Sequence, residues 1–151
     1  MTTTVSAIEE FHALKGKHLG YSDWHRIDQD RVDRFADATD DHQWIHVDPE
    51  RAKGGPFGGT IAHGYLTLSL APVLLHDLLH VEGMRLGVNY GCNKVRFPSP
   101  VPVGANLRLG AEVVDVQDVE GGVQVALDLT LETEGGAKPA CIAQVVYRYY
   151  S

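Results

Sequence analysis

Residues 62–80 read AHGYLTLSLAPVLLHDLLH, and this segment sets the architecture. At helical spacing its apolar residues cover nearly every face: Tyr65, Leu66, Leu68, Leu70, Ala71, Val73, Leu74, Leu75, Leu78 and Leu79. A helix that is apolar all round must be covered all round. We therefore predict a long, buried, central helix that the rest of the chain wraps. Pro72 lies inside the pattern and is expected to remove one backbone hydrogen bond or bend the helix.

After residue 84 the apolar period becomes that of β-strands. Residues 123–132 alternate strictly between apolar and more polar types, and residues 86–92 and 142–147 show the same period. Gly121-Gly122 and Gly135-Gly136 separate the last three runs, as hairpin turns do. We predict four antiparallel strands here and a fifth over residues 18–27. The fold class is α+β, with a curved antiparallel sheet of about five strands around the helix.

Two shorter helices are predicted upstream of the central one. Residues 6–16 have helical spacing, with Ser6 as the N-cap. Asp28 is the expected N-cap of a second helix.

Composition restricts the class of protein. With 151 residues the chain is long enough for one domain, which we place at residues 1–151. A net charge of −7 argues against a nucleic-acid-binding protein. No apolar run is long enough for a membrane span, and the N-terminus does not resemble a signal peptide, so a cytoplasmic location and no membrane partner are expected.

The densest cluster of reactive side chains lies in a polar loop before the central helix: Asp40, Asp41, His42, His46 and Asp48. A carboxylate beside an imidazole is suited to acid–base chemistry on one water molecule. The alternative is a solvated loop in which the aspartates only cap turns. At the start of the helix, the Gly64 N–H is able to hydrogen-bond a carbonyl oxygen that becomes an enolate.

A longer pattern contains these residues. Residues 35–49 read FADATDDHQWIHVDP, residues 61–64 read IAHG, and residues 94–101 read KVRFPSPV. Together they resemble the hydratase motif of MaoC-like dehydratases and (R)-specific enoyl-CoA hydratases. That motif has an Asp five residues before a His, then a hydrophobic residue and Asp-Pro. Many members have Asn-Pro where this chain has Gln43-Trp44.

The resemblance implies a single hot-dog fold and a mechanism. Asp41 and His46 would polarise one water, which attacks C3 of a 2-enoyl thioester, while a proton reaches C2. The thioester oxygen would lie on the Gly64 N–H, with His63 among the substrate-binding residues. The product is the (3R)-3-hydroxyacyl thioester of fatty-acid metabolism, and no metal or redox cofactor is required.

Further substrate contacts are predicted around the pair. An acyl slot would be lined by Trp44, Phe57, Tyr65 and Leu66. Trp44 has an alternative role, which is to pack the loop onto the core. The phosphates of CoA or a carrier arm would bind Lys53, Lys94 and Arg96. An open sheet edge in this fold predicts a homodimer.

Two other functions remain open on sequence grounds. An acyl-CoA thioesterase on the same fold would also use a carboxylate, a water and a helix start. A non-catalytic acyl-binding subunit would not need Asp41, His46 and Gly64 together. Metal binding by His42/His46 or His76/His80, both four apart, is the weaker interpretation of the histidines.

Overall fold

A computed structural model describes residues 2–151. Its helices are a 3-10 helix at Ile8–Leu14, then α1 Gln29–Thr39, α2 Trp44–Val47, α3 Pro49–Lys53, α4 Gly64–Ser69 and α5 Ala71–Leu75. Its strands are β1 Thr3–Val5, β2 His18–Tyr21, β3 His25–Arg26, β4 Leu79–Val81, β5 Leu86–Arg96, β6 Asn106–Val119, β7 Gly122–Thr133 and β8 Cys141–Tyr150.

The main sheet is antiparallel, in the order β2-β6-β7-β8-β5, with β3 also paired to β6. This confirms the α+β class, the four C-terminal strands and the additional strand from the N-terminal half. The strand predicted over residues 18–27 is divided into β2 and β3, which both pair with β6. A separate parallel pair, β1 with β4, was not predicted.

Strand alternation places the core on one face of the sheet. Along β7, Val125, Leu127, Leu129 and Leu131 are all buried, and they belong to one cluster with the residues of α5. Because side chains alternate along a strand, the residues between them face the other way. Gly121 and Gly135 have positive φ angles of 78° and 79°, which confirms the two predicted glycine turns.

The central helix is shorter than predicted and is divided in two. Leu70 separates α4 from α5, and Pro72 lies in the first turn of α5, where a missing N–H costs nothing. Coverage is also incomplete, because Tyr65 is 72% exposed and Val73 is 46% exposed. No helix in the described part of the chain is long and apolar enough to cross a membrane.

The upstream helices follow the sequence in one case and depart from it in the other. Asp28 caps α1 as predicted, since its side chain accepts a hydrogen bond of 2.9 Å from the Arg31 N–H. The first helix is 3-10 and not α, and it starts after Ala7 without a side-chain cap. Ser6 is therefore not its cap.

Replacing Pro72 tests the division of the helix. In a continuous helix, Pro72→Ala would raise the free energy of unfolding by about 3 kcal/mol. In the first turn of α5, the variant only loses the stiffness of proline and is expected to be destabilised by at most about 1 kcal/mol. Urea unfolding measures the difference, and a gain near the larger value would contradict the two-helix description.

Candidate active site

The loop that carries Asp41 starts where α1 ends. Asp40 is the C-cap of α1 and adopts the left-handed conformation, with φ 59°, in which the helix cannot continue. Asp41 follows, exposed, and its carboxylate accepts only a long hydrogen bond of 3.4 Å from the Gln43 N–H. Its second carboxylate oxygen is therefore available to a water or a ligand.

His46 lies on α2 and is 7% exposed. Its Nδ1 is 2.7 Å from the carbonyl oxygen of Ile61, which only accepts hydrogen bonds. The proton is therefore on Nδ1, and in the neutral ring the Nε2 has the free lone pair. This is the tautomer that a base requires.

Backbone and amide bonds hold His46 in place. The Ile61 N–H donates to the Ile45 carbonyl at 3.0 Å, so residue 61 is joined to α2 in both directions. The side-chain amide of Gln29 donates to the His46 carbonyl at 2.7 Å and accepts from the Thr60 hydroxyl at 2.7 Å. Sequence reasoning missed Gln29, because nothing local marks a contact made 17 residues away.

His63 contacts both Asp41 and His46 and is 3% exposed. Its ring stacks on that of His46, with centroids 3.9 Å apart and an interplanar angle of 22°. Its Nε2 is 3.0 Å from the Asp41 carbonyl oxygen. On another side it meets the ring of Phe35, at a centroid distance of 4.9 Å.

Ligand atoms of Asp41, His46 and His63 all lie within 4.8 Å of one another. A metal ion lies in the plane of each imidazole that binds it, about 2.0–2.1 Å from the nitrogen. The two ring planes are nearly parallel, so in this arrangement their lone pairs do not converge on one ion. A water fits better, because at about 2.8 Å from each partner it can bridge groups up to about 5.6 Å apart.

The pKa values of two histidines in this region are shifted in opposite directions from the ordinary value. Burial lowers the pKa of His46, and the His63 ring adds to this; the Ile61 hydrogen bond and the Asp41 charge act against it. The hydrogen bond of 2.8 Å that the His42 Nε2–H donates to the Asp37 carboxylate raises the pKa of His42. His42 thus pairs with α1, and the lowered pKa of His46 favours the neutral form of its ring.

Gly64 opens α4, so its N–H has no partner within the helix. A Cβ on Gly64 would lie 3.3 Å from the ring of Phe97, which in turn meets Tyr65 edge-on at 6.3 Å. Glycine at this position therefore avoids a tight contact with Phe97, and both aromatic rings beside it are exposed, Phe97 at 41% and Tyr65 at 72%. Sequence reasoning included Phe97 only as part of a strand end.

The predicted slot residues are not brought together as one wall. Trp44 has the Arg51 guanidinium 4.4 Å from its ring centroid, and it lies against Gly55, whose added Cβ would be 2.9 Å from the indole. These contacts favour the packing role for Trp44. Leu66 is in the core, whereas Phe57 is 48% exposed.

The predicted phosphate-binding residues are also separated. Lys53, on α3, is 3.1 Å from Glu50. Lys94 and Arg96 pair with Gln144 and Ile142 on the face of β5 and β8 that points away from the core.

Residues 10–134 match the family model of the MaoC-like domain. The chain belongs to the MaoC-like dehydratase family. It is 53% identical over 147 residues to 3-hydroxyacyl-thioester dehydratase Z of Mycobacterium tuberculosis, covering 97% of each chain. The resemblance in the motif is thereby confirmed.

Solved structures of MaoC-like proteins share the fold. The (R)-hydratase from A. caviae, involved in PHA biosynthesis, superposes with a TM-score of 0.72 at 25% identity, over 88% of this chain and 94% of that one. The monoamine oxidase regulatory protein from Archaeoglobus fulgidus gives a TM-score of 0.79 at 26% identity, over 100% and 98%. The hot-dog architecture is confirmed.

This MaoC-like chain also contains a cavity of about 650 Å³ between α5 and β5. Pro72, Leu75, Met84, Val88 and Tyr147 are among its lining residues. Burial raises the pKa of Tyr147 to about 12, so its phenol stays protonated and can donate a hydrogen bond. None of the four predicted slot residues lines this cavity.

NMR titration of the histidine rings tests the electrostatics. We expect His46 to titrate below about 6.5, the ordinary value for histidine, and His42 above it. His46→Gln and His42→Gln assign the two resonances by removing them one at a time. The reverse order of the two midpoints would contradict the burial argument for His46.

Proposed function

We propose that this chain adds water across the double bond of a 2-enoyl thioester to give the (3R)-3-hydroxyacyl thioester, or catalyses the reverse dehydration. The observation that carries the proposal is the Asp41 carboxylate lying within 4.8 Å of a ring nitrogen of the neutral His46, close enough for one shared water. The names of the dehydratase and (R)-hydratase relatives support the same reaction.

Each group has one task in the proposed reaction. The Asp41 carboxylate and the His46 Nε2 accept hydrogen bonds from the water, and the pair removes one proton as the oxygen attacks C3. Charge moves to the thioester oxygen, which the Gly64 N–H stabilises. The same proton then returns at C2, so one water is added and the enzyme is unchanged.

In this proposal, the Gly64 N–H stabilises the enolate oxygen through a direct hydrogen bond and not through a helix dipole. With six residues, α4 is too short for a large dipole. An N–H aimed at the developing enolate remains effective where water is excluded. Phe97 and Tyr65 supply apolar surface beside it.

The chemistry requires no redox partner, because hydration leaves the total oxidation state of the substrate unchanged. We propose that no metal takes part either, since the stacked rings of His46 and His63 do not share an ion. Activity is expected to survive EDTA. The single-domain organisation over residues 1–151 and the cytoplasmic location stay predictions from the sequence.

We also propose a homodimer built on β5. Within residues 2–151, β5 ends the main sheet and pairs only with β8, so its other edge is open. Leu86, Val88 and Tyr90 are exposed along it, at 37%, 42% and 58%. A second copy joined at this edge would cover them and the nearby cavity, which is suited to the acyl chain.

Phosphate recognition by Lys53, Lys94 and Arg96 is retained as a proposal. If they bind CoA phosphates, charge reversal raises KM and leaves kcat nearly unchanged, because the phosphates are remote from C2 and C3.

Neutral replacements test the water-activating pair. Asp41→Asn and His46→Gln retain size and hydrogen bonding, and each is expected to lower kcat for a 2-enoyl-CoA at least about 100-fold. His42→Gln, in the same loop, is the control and is expected to change kcat little. Near wild-type rates in either test variant would contradict the assignment, and faster hydrolysis of a saturated acyl-CoA than hydration of its enoyl counterpart would favour a thioesterase.

Light scattering tests the assembly. We expect twice the mass of one chain at micromolar concentration. Val88→Lys, on the open edge, should shift the mass towards one chain, while Ile142→Lys, exposed on the interior strand β8, should not. A wild-type monomer would contradict the dimer.

A further inference from the structure

We propose that His63 is a positioning residue for the water-activating pair and not a substrate-binding residue. It fastens the Asp41 loop through its N–H and fixes the His46 ring by stacking. This inference rests on the proposed function, because it concerns how the same two residues are held. It also revises the role that the motif implied for His63.

The first task is the anchor on Asp41. The Asp41 carbonyl only accepts hydrogen bonds, so the 3.0 Å contact assigns the proton to Nε2 of His63. Asp41 is exposed and its carboxylate has one weak backbone contact of 3.4 Å. The His63 N–H therefore ties this exposed position to the start of α4, through a residue that is itself 3% exposed.

The second task is the stack on His46. A centroid distance of 3.9 Å and an angle of 22° place the His63 ring flat against the His46 ring. The 2.7 Å bond to Ile61 fixes one edge of His46, and the stack restricts rotation about that bond. Phe35, 4.9 Å from His63, supports the stack from another side.

A direct substrate contact is excluded by burial. With Nε2 bonded to Asp41, the remaining ring nitrogen is Nδ1, which is buried without a hydrogen-bond partner. Among the described side chains it is the single buried nitrogen or oxygen in that condition. Such groups are rare and call for an explanation. A fixed tautomer at this position provides one, because it directs the N–H to Asp41.

The groups around His46 determine its pKa, and therefore the pH at which the acid limb of the activity profile falls. Asp41 from the loop and His63 from the start of α4 are the titratable groups that influence its charge. α1 presents the Gln29 amide, which also binds Asp33, and the strand-like segment before α4 presents the Ile61 carbonyl. Removing the His63 ring therefore exposes His46 to water without removing a negative charge.

Two substitutions separate the tasks. His63→Phe retains a flat ring for the stack but removes the N–H. We expect kcat to fall about 10- to 100-fold, the scale of misplaced reacting groups, with KM nearly unchanged. The acid limb should move to higher pH only slightly, because the ring still shields His46 from water and only the titratable group of His63 is lost. His63→Gln places an amide N–H near the imidazole Nε2 position but removes the ring, so the acid limb should move to higher pH while most of kcat is retained at its plateau.

His42→Gln is the matched control and should change neither quantity. Unaltered kcat and acid limb in both His63 variants would overturn the proposal. A raised KM with unchanged kcat would also overturn it, by showing a substrate contact. If one variant fails to fold, the other still tests the task that it removes, which is the hydrogen bond to Asp41 for His63→Phe and the stack on His46 for His63→Gln. NMR titration of His46 in that variant then provides the measurement. Active Asp41→Asn or His46→Gln enzymes, in contrast, would count against the proposed function itself.

Discussion

The hydrogen bond from the His46 Nδ1–H to the Ile61 carbonyl is the constraint on which the site depends. It joins the loop to the chain segment that leads into α4, and the Ile61 N–H returns a bond to Ile45. On its other side the same segment is held by the Ala62 N–H, which donates to the Val101 carbonyl at 2.8 Å. The tautomer of His46 is thus fixed by main-chain geometry that also orders the start of α4.

The burial that lowers the pKa of His46 also makes it a suitable base. A neutral imidazole accepts a proton from water, and a nearby carboxylate can stabilise the cation that forms. The stacked His63 has the opposite effect on that cation. In the proposed reaction, this balance favours a neutral His46 before the water attacks and leaves Asp41 to stabilise the charge that His46 then gains.

Much of this arrangement could be predicted from the sequence, for reasons specific to certain residues. The strict alternation over residues 123–132, bounded by glycine turns, is compatible only with a β-strand that has one buried face. Asp28 was predictable as an N-cap because capping depends on neighbouring residues alone. The motif predicted that Asp41 and His46 converge across the loop, and their side chains do lie close together, whereas the roles of both residues and of Gly64 stay predictions. The prediction of one helix over residues 62–80 did not allow for a second helix that has Pro72 in its first turn. Apolar content alone does not distinguish one long helix from two short helices followed by a turn and a short strand.

Other features depend on contacts that no local pattern encodes. Gln29 reaches His46 and Thr60 across the fold, and Trp44 is engaged by Arg51 and Gly55. A tryptophan in such a motif suggests a pocket wall, and the contacts of Trp44 with Arg51 and Gly55 favour a packing role. The stacking of His63 on His46 is likewise set by the loop path between them.

The groups proposed for the chemistry all come from residues 41–64, and the support for His46 begins at Gln29. The long strands β5 to β8 supply the platform and one wall of the cavity, but none of the three reacting groups. In the proposed function, the groups that react and the surface that binds the acyl chain therefore lie in different segments of the chain. If the cavity holds the acyl chain as proposed, substitutions in the strands and α5 would change which acyl groups fit without altering the segment that carries Asp41, His46 and Gly64.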